Sequence, residues 1–348
     1  MPPISRRRFL AAAAAAAAAV PGALRGRERR RVTDSAGRTV SIPARVQRIY
    51  AAGPPASILA FVLVPEKLLG WSRPFRPAER AFVPEEYANL PALGRLTGRG
   101  NTANVEVLLA AKPDLVFDYG AVHPTYAELA ERVQTQTGIP YLLIDGAFEH
   151  IPEAFRLLGD IAGEAARGEA MARYARDILD DVARRTADIP PHRRVRVYYG
   201  RGPSGLQTGL AGSINVESIE RIGAENVAAA LGRGGLAQIS VEQVLAWNPE
   251  AIVTLDPDFY ETLRHAPLWS RVAAVRSGRV YLAPHLPFGW VDSPPSVNRL
   301  VGLRWLGKVL YPDRFPEPLR PFVREFYTRA YHRTPSAAQL DRLLDGLA

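Results

Sequence analysis

The chain has 348 residues, of which 47% are hydrophobic and 23% charged; these values exclude a disordered or membrane-spanning polypeptide and are comfortable for two domains with real cores. The formal charge of +9 includes Arg6, Arg7 and Arg8, so the rest of the chain carries +6. No stripe of basic residues interleaved with aromatics runs through that remainder, which argues against nucleic acid as a partner.

The first thirty residues read as an export signal and linker. Ser5-Arg6-Arg7-Arg8-Phe9-Leu10 leads into nine alanines, Val20 and then Pro21-Gly22-Ala23, the order of a basic, an apolar and a small-residue region. The apolar run from Phe9 to Val20 is too short to cross a bilayer, which takes roughly 20 residues. Arg6-Arg7 followed by Phe9-Leu10 resembles a twin-arginine signal. Cleavage is expected between Ala19 and Gly26, and the cluster from Arg25 to Arg31 reads as linker. The chain has no cysteine, so neither a disulfide nor a lipid anchor at the signal's end is expected. The predicted location is the periplasm.

Further on, the chain says nearly the same thing twice. Asn104-Val105-Glu106-Val107-Leu108-Leu109-Ala110-Ala111-Lys112-Pro113 and Ser240-Val241-Glu242-Gln243-Val244-Leu245-Ala246-Trp247-Asn248-Pro249 each start at an N-cap residue and run through a short helix. Each stops at a proline and enters an apolar strand, Asp114–Phe117 or Glu250–Leu255. A strand precedes each unit (Arg48–Ala52 and Arg194–Tyr199), and a short one follows (Tyr141–Ile144 and Val280–Leu282). Strands alternating with helices predict two similar α/β lobes with mostly parallel sheets. Between them, apolar residues recur at helical spacing from Pro152 to Asp188, which predicts an α-helical spine, with Gly159, Gly163 and Gly168 marking a kink or break. The expected divisions are 1–30, an N-terminal lobe over 31–150, the connecting helix over 151–188 and a C-terminal lobe over 189–348.

Enzyme signatures are missing. Gly200-Arg201-Gly202-Pro203-Ser204-Gly205 fits a dinucleotide-binding pattern, but a glycine-rich loop rather than a helix follows it, so a ligand-facing loop is the better reading. The six histidines are scattered and form no ligand-spaced pair. Neither a cofactor nor a resident metal is expected.

Val32-Thr33-Asp34-Ser35-Ala36-Gly37-Arg38-Thr39-Val40-Ser41-Ile42-Pro43, Arg45-Val46-Gln47-Arg48-Ile49, Leu93-Gly94-Arg95 and Gly223-Ala224-Glu225-Asn226-Val227, in that order, resemble the iron-siderophore, haem and cobalamin binding proteins of ABC importers. The resemblance implies two lobes on a long helix, a ligand in the cleft between them, and docking to a membrane permease. Within that family, Tyr199–Gly212 and Pro287–Arg299 are similar to a branch that takes iron complexes and, in some members, molybdate-type oxyanions. The family presents one glutamate per lobe to the permease. Glu220 matches the second, while Ser57 stands where the first is expected.

The expectation is therefore a monomeric, non-catalytic binding protein that takes a metal chelate or a related compact anion. A molybdate-type oxyanion, haem or cobalamin is the alternative within the fold, and an exported α/β enzyme is the rival from another class. In parallel α/β sheets ligands sit beyond the carboxyl ends of the strands. That rule selects Gly53 and Pro54, Trp71 and Arg73, and Tyr119 from the first lobe. From the second it selects Tyr199, Arg201 and the loop from His285 to Trp290, with Trp290 as an exposed aromatic anchor.

Overall fold

The computed structural model describes residues 28–98 and 104–344, so the export signal expected within 1–30 and its cleavage point lie outside the described residues or at their edge. The described chain enters as an antiparallel pair, β1 (Arg29–Thr33) with β2 (Thr39–Pro43). Part of the basic cluster read as linker is therefore strand. Arg29 bonds the Ser41 hydroxyl across the pair at 3.0 Å, and Arg30 reaches the Asp160 carboxylate at 2.6 Å.

Three parallel strands build the first sheet: β3 (Ile49–Ala51), β4 (Leu115–Gly120) and β5 (Tyr141–Asp145), with β4 in the middle. The second lobe contributes β6 (Arg196–Gly200), β7 (Gln207–Gly209), β8 (Glu225–Asn226), β9 (Leu236–Gln238), β10 (Ala251–Thr254) and β11 (Val280–Leu282). Its main sheet is parallel, in the order β11-β10-β6-β8, while β7 and β9 form a separate antiparallel ribbon. Burial explains the pattern. β4 and β10, interior strands of their sheets, are buried at nearly every position, and mostly apolar residues fill them.

The repeated unit folds twice by the same chemistry. Helices Val105–Ala111 and Val241–Trp247 are capped by Asn104 and Ser240, whose side chains accept from the N–H groups of Val107 and Gln243. Both end on a non-glycine residue in the left-handed region, Lys112 and Asn248, each with φ 45°. The proline that follows cannot continue a helix, and the chain turns into its strand. Arg48, just ahead of β3, and Arg196, the first residue of β6, each donate to the last carbonyls of these helices, at Ala111 and Trp247. Asp114 and Glu250 each accept the N–H of that same arginine. These arginine and carboxylate pairs reveal the duplication more fully than the apolar pattern does.

The connecting segment differs from a single spine. Helix Ile151–Ala162 ends at Gly163, where φ is 77°, and helix Ala165–Thr186 folds back along it. Gly159 and Gly168 face each other across this hairpin; a Cβ at Gly159 would stand 2.9 Å from the Gly168 Cα. Two helices that touch backbone to backbone need glycine there. Only the second, 22 residues long and therefore about 33 Å, spans the lobes.

One buried arginine joins the lobes behind the cleft. Arg299 has no exposed surface; it donates to the carbonyls of Gly146 (2.6 Å), Ile214 (3.0 Å) and Ser296 (3.2 Å), and to the Glu217 carboxylate (2.8 Å). Its guanidinium lies 4.4 Å from the centre of the Phe148 ring, while Glu217 also accepts the Phe148 N–H at 2.8 Å. The Ser296 hydroxyl adds a bond to the Pro55 carbonyl at 2.7 Å.

Candidate functional site

A cleft of about 850 Å³ opens beyond the carboxyl ends of β3, β4, β6 and β10. The topology dictates this position, because parallel strands in both lobes point the same ends toward the gap. Of the residues selected from the sequence, Pro54, Trp71, Arg73, Tyr119 and Arg201 line it, and His285 joins them.

The remaining selections go elsewhere. Tyr199 is buried beneath the cleft, its hydroxyl donating to Asp292 at 3.2 Å. Trp290 corrects the expectation most clearly. It is completely buried, and its indole N–H donates to the Tyr327 hydroxyl at 3.0 Å on the side away from the opening. The loop before and after it, Pro287-Phe288 and Ser293-Pro294-Pro295, does line the cleft. Glu220 is half-buried, and its carboxylate accepts the Gly212 N–H at 3.1 Å from each oxygen, so it is less free than a docking glutamate was expected to be. Ser57 is buried and lines the cleft, which places it away from any outer docking surface.

Four arginines line the cleft, Arg73, Arg76, Arg95 and Arg201, and two of them, Arg73 and Arg201, are held by carboxylates. Arg73 makes a two-bond fork to Glu79 at 2.8 and 2.7 Å. Burial pushes the Glu79 carboxyl up, but the Arg73 fork and the Arg76 N–H outweigh it and hold the pKa below the ordinary value. Arg201 donates through Nε to Asp292 at 2.6 Å and through Nη1 to Gln207 at 2.6 Å. Burial works against its charge, yet Asp292 keeps its pKa above the usual value. Asp292 also accepts from Asn215 Nδ2 at 2.9 Å, so three donors satisfy one fully buried carboxylate. His285 adds no charge near neutrality, because burial lowers its pKa.

An aromatic wall stands beside these charges. The Trp71 and Phe75 rings meet edge to face at 4.7 Å, and Phe288 lies 6.0 Å from each. Trp71 is fixed by its indole N–H to the Tyr87 carbonyl. Phe288 belongs to the loop selected from the sequence, whereas Phe75, Asn215 and Asp292 escaped the sequence reading because each owes its place to a fold-level neighbour.

Asp118 escaped it as well, although a carboxylate inside the apolar strand Leu-Val-Phe-Asp-Tyr was a usable signal. It lines the cleft at 9% exposure, accepting from the Tyr119 N–H at 2.9 Å and from Thr97. Burial pushes its pKa up to about 6. A carboxyl whose folded-state pKa is raised contributes its full stability below the unfolded value of 3.8, and that stability is lost as the pH rises through 6. Asp118→Asn keeps an acceptor for the Tyr119 N–H and removes the charge. It should therefore raise stability by about 3 kcal/mol at pH 8 and leave it nearly unchanged at pH 3.5. Urea midpoints at the two pH values test this, and a variant no more stable than wild type at pH 8 would refute it.

The fold and cleft define a two-lobed solute-binding protein with a helical connection. No helix among the described residues is long and apolar enough to cross a membrane, and no cluster of three metal-ligating side chains occurs among them. Residues 81–286 match the family model described as periplasmic binding protein, and the chain belongs to that family. It is 31% identical to the ABC transporter solute binding protein from Sulfurospirillum deleyianum, with a TM-score of 0.83 over 91% of this chain and 99% of that one. Among curated proteins it is 28% identical to the molybdate-binding protein MolA of Haemophilus influenzae, over 86% of this chain and 90% of MolA. The structure of MolA bound to molybdate superposes with a TM-score of 0.74 at 26% identity, covering 88% of this chain and 99% of that one.

Proposed function

We propose that the protein is the solute-capturing component of an ABC importer, taking a metal chelate into the interlobe cleft and presenting it to a membrane permease. The observation that carries this reading is the combination of volume and lining. A cleft of about 850 Å³ with an aromatic wall and four arginines, two of them paired with carboxylates, suits an organic ligand of several rings or chelating arms, within the range of roughly 300–1,000 Å³ typical of such sites. Arginines already paired with Glu79 and Asp292 are pre-set in direction, so they can bond carboxylate or catecholate oxygens without leaving a buried charge unbalanced in the empty protein. Delivery to a permease is supported by the likeness to the Sulfurospirillum deleyianum protein, which is itself named for an ABC transporter. Export to the periplasm is supported by the family and by the leader sequence.

A molybdate-type oxyanion is the second reading, favoured by the likeness to MolA along nearly the whole chain. Titration calorimetry with ferric hydroxamate, ferric catecholate, haem, cobalamin, molybdate and tungstate separates the two. The chelate reading expects one ferric complex to bind with a micromolar or tighter Kd and molybdate at least about a hundredfold more weakly. Tight binding of molybdate alone would replace it with the oxyanion reading, and turnover of a substrate would reject both.

A further inference from the structure

Both walls of the cleft present arginines, one of them on each wall paired with a carboxylate, but they differ in what surrounds those charges. On the C-terminal wall, Asp292 and Gln207 hold the Arg201 fork in place. On the N-terminal wall, helix Pro54–Leu63 starts at the cleft, where a helix usually turns free N–H groups toward an anion. Here Pro54 and Pro55 occupy the first two helical positions, and neither has an N–H to offer. Of the arginines on this wall, Arg73 is paired with Glu79, while Arg76 and Arg95 also line the cleft, so Asp118 is the carboxyl set against their pull on an anion.

Asp118 stands beside that helix start. One of its oxygens is occupied by the Tyr119 N–H, Thr97 donates to the carboxyl, and no ion pair joins it to a basic side chain among the described residues. The backbone at Gly53 presses close, since a Cβ there would lie 3.6 Å from Asp118 Oδ1 and 2.6 Å from Thr97 Oγ1. The carboxyl therefore forms part of the cleft floor with acceptor capacity left over.

We infer that Asp118 sets which ligands the N-terminal wall accepts: it takes a hydrogen-bond donor, such as a hydroxyl, an amide N–H or a metal-bound water of a chelate, and repels a fully deprotonated tetraoxo dianion. The inference rests on the chelate reading above and adds a selectivity residue to it. A carboxylate within a few ångströms of a dianion, in a site only partly reached by water, opposes binding by far more than the same pair in bulk solvent.

The test is calorimetric titration of molybdate at pH 8 into wild type, Asp118→Asn and Asp118→Ala, with circular dichroism to show that all three are folded. Removing the charge should tighten molybdate binding at least about tenfold in both variants. Unchanged or weaker binding in the variants, or none in any of the three proteins, overturns the role of Asp118. The comparison does not need wild type to hold molybdate. It therefore fails separately from the chelate reading, which fails when no ferric complex binds wild type.

Discussion

Arg299→Ala is expected to lower the stability of the folded protein by about 3–5 kcal/mol, read as a shift of the urea midpoint. The size follows from what the side chain holds. It is fully buried, and its removal strips the Glu217 carboxylate and three backbone carbonyls of their donor at once. Glu217 would keep the Phe148 N–H, so its charge would be only partly satisfied. Arg299→Lys preserves the charge but cannot reproduce a planar fork that reaches Gly146 on one lobe and Ile214 and Glu217 on the other. It should fall between wild type and Arg299→Ala. A loss under about 1 kcal/mol in Arg299→Ala would mean that water replaces the arginine and that the lobes are joined by packing alone.

The same residue bears on how the protein works. Arg299 and the Ser296–Pro55 bond tie the lobes together behind the cleft, where a hinge would have to bend. The spine helix crosses the lobes as one rigid element, and the helix before it is packed backbone to backbone against it at Gly159 and Gly168. Ligand capture on such a frame depends on a cleft that is already shaped. This is consistent with arginines whose directions are fixed before any ligand arrives.

How far this was legible in the sequence depends on the range of the interactions. The repeated helix–proline–strand unit is local chemistry, and it announced both sheets, their parallel sense and the position of the cleft. The glycines at 159, 163 and 168 signalled a break, but not that the helices on either side would fold together. That depends on Gly159 meeting Gly168, a contact that no periodicity encodes. Arg299 entered the sequence reading only as the end of the stretch Pro287–Arg299. Its partners beyond Ser296 lie 82, 85 and 153 residues away, and only the closed fold brings them together. Asp292 was hidden in the same way, since its donors come from Tyr199, Arg201 and Asn215. Asp118 is the instructive exception, because its signal, a carboxylate inside an apolar strand, was purely local.

Trp290 carries the second large prediction. The strand-end rule brought its loop to the cleft correctly, since Phe288 on one side and Ser293 on the other both line it. A loop has two sides, however, and Trp290 faces the inner one. It is fully buried, with its ring 6.4 Å from that of Tyr327, and its N–H ends a chain that runs through the Tyr327 hydroxyl to the Leu286 carbonyl. Helix Arg299–Leu310 crosses so close to it that a Cβ at Gly302 would collide with the Trp290 carbonyl, so the surroundings have little freedom to collapse into a hole. Trp290→Ala should therefore cost about 3–5 kcal/mol of stability, and Trp290→Phe about 1–2 kcal/mol, because it keeps most of the volume and loses the N–H. Where Trp290→Phe remains folded, its affinity for whichever complex wild type binds should stay within about twofold, as no part of the ring reaches the cleft. A tenfold loss of affinity in Trp290→Phe with an unchanged urea midpoint would reverse the assignment and return Trp290 to the binding surface.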